Sequence, residues 1–474
     1  MSGIGSWGMS VFKRPSSNSE HSVTSKRNAS VQTLLSASSS TNISREWLCQ
    51  KVNENICDIY YSGEEPDAED EMCKEQPKIR RKRIPDKPSH HVGLWSVLKD
   101  LIGQNLTTIA LPVNLNEPLT VLQRMTESFE SSYLLDRAAE CENIYDQIAY
   151  VAAFAISGYA SSAERNGKPF NPLLGETYEC DRSDELGWKC IAEQVSHHPS
   201  ISALHCESDK WVFWEDLTGD LYFRGKYIRI LPVDYRYVKF KTNEKTYRLE
   251  RPETIIHNII FGKIWVDHKG KVEIVCLDEA AKCDLTFTPY SSFSRRYPRV
   301  FGDIRDLSKV KRMIRGSWNE KIEIAFNLED DDGEMNAKTA SYQTVWERKP
   351  PTPESSKYYN FSEFACTLNE YEAAVAPTDS RRRPDVRMME NGEWDLANEH
   401  KLRLEEKQRS KRYLREAENL SLSEGDGPID DYCPIWFTKK KMLVTEAENE
   451  IFFYKGGYWE AKNEGDWSMC PDIF

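Results

Sequence analysis

The sequence lacks the signatures of several functional classes. Its twelve cysteines are scattered from Cys49 to Cys470 without one Cys-x-x-Cys pair. Zinc sites show clustered ligand spacing, so no metal site is expected. Unclustered cysteines in a long chain read as reduced thiols, which points to the cytosol. No apolar run reaches the ~18 residues of a membrane-spanning helix. Residues 144–163 come nearest, and Tyr145, Asp146 and Gln147 interrupt them. Residues 1–14 lack the apolar core of a signal peptide. Neither a Gly-x-Ser-x-Gly elbow nor a His-Glu-x-x-His pair occurs, so the expectation is a non-enzyme with no cofactor. Positive charge is short as well: 63 Lys and Arg against 76 Asp and Glu leave a net charge of −13. That balance argues against nucleic acid as a partner, although a local basic patch can still meet an anionic membrane surface. Residues 1 to about 45 carry much Ser, Thr and Asn and few large apolar side chains, too little burial to offset the entropy of ordering. Residues 1–90 are therefore expected to be a disordered tail, and 91–474 the folded body.

Aromatic residues, by contrast, are abundant: 13 Trp, 22 Tyr and 18 Phe suit a β-rich body with wide apolar walls. Leu94, Trp95, Val97, Leu98, Leu101 and Ile102 recur at helical spacing and predict a short amphipathic helix. Residues 118–164 predict helices with two stripes, one of Leu119, Leu122, Met125, Phe129 and Tyr133, the other of Ile144, Ile148, Val151 and Ala155. From Trp188 to about Trp346 strand follows strand. Ile322, Ile324, Phe326 and Leu328 alternate with Lys321, Glu323, Ala325 and Asn327, and Val272, Ile274 and Cys276 repeat the habit. The fold expected is mainly β with α: a large, nearly closed antiparallel β-barrel over about residues 168–370, with flanking helices. Such a barrel either packs its interior or holds a cavity, and spacing alone leaves both open. Residues 395–474 form a C-terminal helix, polar and charged to about Ala417, and an aromatic tail that packs on the barrel.

Candidate chemistry gathers at Glu193-Gln194-Val195-Ser196-His197-His198-Pro199. Two imidazoles at a strand end offer up to four ring nitrogens, suited to a phosphate or another polar head. Lys168 and Asn171 project from Lys168-Pro169-Phe170-Asn171-Pro172-Leu173-Leu174-Gly175-Glu176, which its prolines and glycine keep from being helical. An ammonium beside an amide fits a phosphate oxygen. Lys401, Glu405 and Arg409 stand at i, i+4 and i+8, on one helix face within roughly 80°. The acidic tract 58–71 carries Tyr60, Tyr61 and Ser62, with aromatic anchors and acid that steers toward a basic groove. Lys78-Ile79-Arg80-Arg81-Lys82-Arg83 reads as a solvated hinge, with contact to anionic lipid as the alternative.

Together with the loop Thr378-Asp379-Ser380-Arg381-Arg382-Arg383-Pro384-Asp385, these motifs resemble the oxysterol-binding protein family over about residues 91–474. The resemblance implies a short-type member with no pleckstrin-homology domain in front, its barrel built around a lipid tunnel. It implies a phosphoinositide site of Lys168, Asn171, His197, His198, Lys401, Glu405 and Arg409, joined by Leu106 and Thr107. A lid over residues 92–112 would rest on Leu94, Trp95, Leu98, Leu101 and Ile102. The implied activity is exchange of a sterol and phosphatidylinositol 4-phosphate between membranes, by a cytosolic protein peripheral at endoplasmic-reticulum contact sites. Phosphatidylserine in place of sterol, or a lipid-regulated sensor or scaffold without net transport, are the alternatives. Tyr60, Tyr61 and Ser62 resemble the FFAT-like motif that binds VAP proteins of the endoplasmic reticulum, in its phosphorylation-dependent form.

Overall fold

A computed structural model describes residues 79–88, 113–165, 167–259, 264–290, 298–307, 309–327, 340–422, 432–444 and 447–474. The expected lid (92–112, with Leu94, Trp95, Leu98, Leu101 and Ile102), Leu106, Thr107 and the Tyr60–Tyr61–Ser62 motif lie outside these residues.

Among the described residues, fifteen strands join in one sheet. Its main path runs from Gln343–Glu347 through Lys321–Ala325, Val310–Gly316, Arg299–Arg305, Lys282–Thr288 and Trp265–Cys276. It continues through Thr246–Leu249, Arg236–Phe240, Trp211–Leu217, Ser200–Ser208 and Trp188–His197 to Thr177–Arg182. Glu253–His257, Tyr227–Pro232 and Gly219–Phe223 branch from the first half of Trp265–Cys276. Every pairing in the sheet is antiparallel, but among the described residues its two end strands do not meet. The large antiparallel sheet expected is therefore present, and it stops short of full closure. One edge is covered by a loop, as unpaired strand edges have to be. Thr177 N–H donates to Thr378 O at 2.9 Å, and Arg381 Nη2 donates to Glu179 O at 2.8 Å. The strands also end earlier than residue 370, at Glu347, while a hairpin of Phe437–Val444 and Ala447–Tyr454 appears in the tail. That hairpin packs Phe453 on Trp214, which stacks on Tyr237 at 5.4 Å.

The alternation has its expected effect. Val272, Ile274, Cys276, Leu285, Ile322 and Ile324 are all buried, in one core with the helices of residues 121–157. The Ile144–Ser157 helix is capped by Asn143, whose side chain accepts from Tyr145 N, and its Ala149, Ala152, Ala153 and Ala155 allow close approach to the strands. Phe129 sits at the centre, 5.4 Å from Trp188, 6.0 Å from Trp211 and 5.2 Å from Phe213 between ring centroids. Tyr133 leaves the predicted stripe and is 44% exposed. A 3-10 turn over Glu127–Ser131 intervenes, and its three residues per turn rotate the next helical segment off the original face.

The basic run is no solvated hinge. Arg81 grips Glu390 through both terminal nitrogens, at 2.7 and 2.9 Å, and Arg80 pairs with Glu185 at 2.7 Å and with Glu370. With Ile84 buried, residues 79–88 belong to the body, which therefore begins before residue 91.

Candidate functional site

The tandem histidines sit on a hairpin that its own motif holds in shape. Gln194 Nε2 donates to Ser196 O at 2.7 Å and to Ser200 Oγ at 3.1 Å, while its Oε1 accepts from Ser202. Glu193 points to the other side, where it accepts from the backbone N–H groups of Ile435 and Trp436, both at 2.9 Å, and so docks the tail. The motif's carboxylate and amide are thus structural, and the imidazoles are left at the turn. His198 is exposed; its ring lies edge-on to that of His197 at 4.6 Å. His197 is half-buried, and burial, then His198, Arg412 and Arg415, push its pKa down to about 4. It is neutral at neutral pH.

Lys168 opens the short strand Lys168–Phe170, which pairs with Asn116–Thr120. This brings it to the Trp394–Leu422 helix, beside Lys401 and Glu405. Burial first, and then the Lys401 ammonium, lower the pKa of Lys168, with Glu405 opposing. Lys401 itself is buried and donates to Glu405 Oε1 at 2.6 Å. Lys401 is thus paired with Glu405, while the charge of Lys168, which feels both, has no hydrogen-bonded carboxylate of its own among the described residues. Arg409 stands apart: its side chain is 54% exposed and bonded to Glu406 at 2.8 Å. Asn171 is exposed, and its carbonyl accepts from Arg383 Nη1 at 2.8 Å.

Spacing did not single out Gln408. One turn past Glu405, it accepts from Leu174 N–H at 3.0 Å and reaches His197 Nε2 at 2.8 Å. Nor did it single out a buried ionic network under the Lys168–Glu176 loop. There Arg383 bonds Asp385 through two nitrogens at 2.8 and 2.9 Å and Glu176 at 2.8 Å, and Ser380 donates to Glu176 at 2.6 Å.

Beyond the end of the Ile144–Ser157 helix, the face that carries it continues as apolar rows. Strand register aligns Phe223, Ile228, Ile256 and Val266, then Leu221, Ile230, Thr254 and His268. Ile228, Ile230, Ile256, Val266 and Leu221 are only half-buried. His268 is 3% exposed, bonded to Thr254 Oγ1 at 2.9 Å and Ser162 Oγ at 3.1 Å, and burial pushes its pKa down to about 3. A histidine held neutral in the fold and protonated near pH 6.5 when unfolded stabilises fully above pH 6.5. That contribution is lost as pH falls from 6.5 toward 3, a span of about 5 kcal/mol. His268→Phe should therefore show a flatter difference between denaturant midpoints at pH 7 and pH 4 than the parent chain.

No helix among the described residues is long and apolar enough to cross a membrane. Residues 93–463 match the family described as oxysterol-binding protein. Oxysterol-binding protein 2 of Mus musculus is 43% identical over 415 residues, which cover 85% of this chain and 45% of that protein. Oxysterol-binding protein-related protein 1C of Arabidopsis thaliana is 41% identical over 409 residues, covering 84% and 47% respectively. The chain thus spans about half the length of these relatives. Among solved structures, the Osh1 ORD domain in complex with cholesterol superposes with a TM-score of 0.73 at 32% identity, over 84% of this chain and 95% of that one. The Osh3 ORD of Saccharomyces cerevisiae in complex with PI(4)P gives 0.69 at 31%, over 84% and 99%.

Proposed function

Since the chain belongs to the oxysterol-binding protein family, we propose that it is a lipid-transfer protein, one that carries a sterol and phosphatidylinositol 4-phosphate alternately between membranes. The observation that carries this reading is a buried Lys401 bonded to Glu405 with a second lysine, Lys168, near enough to feel both charges, so that two cations stand against one carboxylate. A phosphorylated inositol supplies the missing negative charge, and buried charges are tolerated only when paired. His197 and His198 add imidazole donors, with Asn171, Leu106 and Thr107 completing the head-group shell and Arg409 joining it by exchanging Glu406 for phosphate. The half-buried rows of Ile228, Ile230, Ile256 and Val266 supply wall for the apolar part of either lipid, under a lid of residues 92–112. Burying several hundred Å² of apolar surface is worth on the order of 10 kcal/mol, which keeps the lipid from water in transit. One cavity taking both ligands makes them exclusive, so a gradient of one drives transport of the other and no bond is made or broken.

The test is extraction from liposomes. The chain should remove both lipids; His197→Ala with His198→Ala should abolish removal of phosphatidylinositol 4-phosphate and spare sterol. Equal loss of both would point to misfolding, and no loss would remove the head-group site. Residues 58–71 are the proposed VAP-binding segment, which would keep the protein peripheral at the endoplasmic reticulum. By calorimetry, a peptide phosphorylated at Ser62 should bind VAP more tightly than the plain peptide, because phosphate adds charge toward a basic groove.

A further inference from the structure

Gln408 joins three parts of the site that come from distant stretches of the chain. Its Oε1 accepts from the Leu174 backbone N–H at 3.0 Å, and its Nε2 lies 2.8 Å from His197 Nε2. A backbone N–H only donates, which fixes Oε1 as the acceptor and turns Nε2 to the imidazole. An amide nitrogen only donates, so His197 Nε2 has to accept and the single ring proton rests on Nδ1. Among the described residues, buried Nδ1 has no hydrogen-bond partner. A buried donor left without an acceptor is costly, and a ligand oxygen that reached it would remove that cost.

We propose that Gln408 is a positioning residue, which holds His197 as the neutral Nδ1–H tautomer so that this one N–H is free for a phosphate oxygen. The same side chain ties the Leu174 turn, and with it Lys168 and Asn171, to the helix that bears Lys401. This deepens the head-group site proposed above and rests on it. His198 on the hairpin and Arg412 and Arg415 on the helix all oppose a positive charge on His197, as burial does. Charge for the ligand therefore comes from Lys168 and Lys401, and His197 contributes direction. Its contribution stays constant across neutral pH.

Nitrogen-15 spectra of the full chain, with the His197 ring signals assigned by their loss in His197→Ala, read the tautomer without any ligand. The parent protein should show the proton on Nδ1. Gln408→Leu should lose that preference and extract phosphatidylinositol 4-phosphate from liposomes about tenfold less well, the worth of one charge-assisted hydrogen bond, with sterol uptake unchanged. Gln408→Glu keeps the size of the side chain and its bond to Leu174 N–H, so it serves if the leucine variant fails to fold. Its carboxylate accepts from the ring, which should move the proton to Nε2 and raise the His197 pKa. An Nε2–H ring in the parent protein overturns the proposal, as does a Gln408→Leu variant with unchanged tautomer and extraction. Parent protein that shows the Nδ1–H ring yet extracts no phosphoinositide refutes the head-group reading instead.

Discussion

With Lys168 and Lys401 both replaced by alanine, extraction of phosphatidylinositol 4-phosphate should fall at least a hundredfold, and the protein should still fold and take up sterol. Hydrogen bonds to charged groups contribute roughly 1.5–3 kcal/mol each, so losing two removes about two decades of affinity or more. The fold should tolerate the change, because burial first and the Lys401 ammonium second already disfavour a charged Lys168. The single variants should differ in a way that a merely general electrostatic effect would not produce. Lys168→Ala removes one cation and leaves the Lys401–Glu405 pair intact. Lys401→Ala leaves Glu405, which is half-buried, without its hydrogen-bonded cation and facing an incoming phosphate, so it should be the more damaging of the two. Liposome extraction across a salt series measures both terms. If the double variant keeps affinity within threefold of the parent, the head group binds elsewhere.

How much of this was legible in the sequence depends on the distance over which each feature is decided. Strand alternation is a local property, and Val272, Ile274, Ile322 and Ile324 face the core as their period requires. The His197–His198 turn and the Lys401–Glu405 pair are equally local and stand where spacing put them. Features imposed by distant segments could not be read in this way. Arg381 and Arg383 belong to a run of three arginines that composition assigns to solvent, yet both are buried, because Asp379, Asp385 and Glu176 meet them there. Gln408 finds partners 234 and 211 residues away. Arg80 and Arg81 read as a free basic hinge until Glu185, Glu370 and Glu390 are brought beside them. Closure of the sheet is the least local property of all. It turns on whether the first and last strands meet, and among the described residues the Thr378–Arg383 loop takes one edge, so the nearly closed sheet that was expected stops short of closure.

Arg383→Met should be the most destabilising single change outside the apolar core, at about 3–5 kcal/mol, the cost of breaking a buried ion pair. Arg383 is 2% exposed and bonds Asp385, Glu176 and the Asn171 carbonyl together. Without it two buried carboxyl groups lose their cation. Burial already raises the pKa of Glu176, and the Arg383 charge is the largest influence holding it down. In the variant that pKa should climb further, so Glu176 will be neutral in the fold over a wider range. A carboxyl whose folded pKa exceeds its unfolded value stabilises fully below the unfolded pKa and loses that contribution as pH rises through the folded one. Denaturant midpoints of the variant should therefore recover toward those of the parent as pH drops from 8 to 5. A second substitution, Glu176→Gln, removes the uncompensated charge and should restore part of the loss at pH 8. The head-group site should suffer in parallel, since the turn that carries Lys168 and Asn171 loses its anchor, whereas His197→Ala should leave stability nearly unchanged at pH 8. A variant that is as stable as the parent at pH 8 would mean that the network contributes no net stability and that the turn is held by its prolines and Gln408 alone.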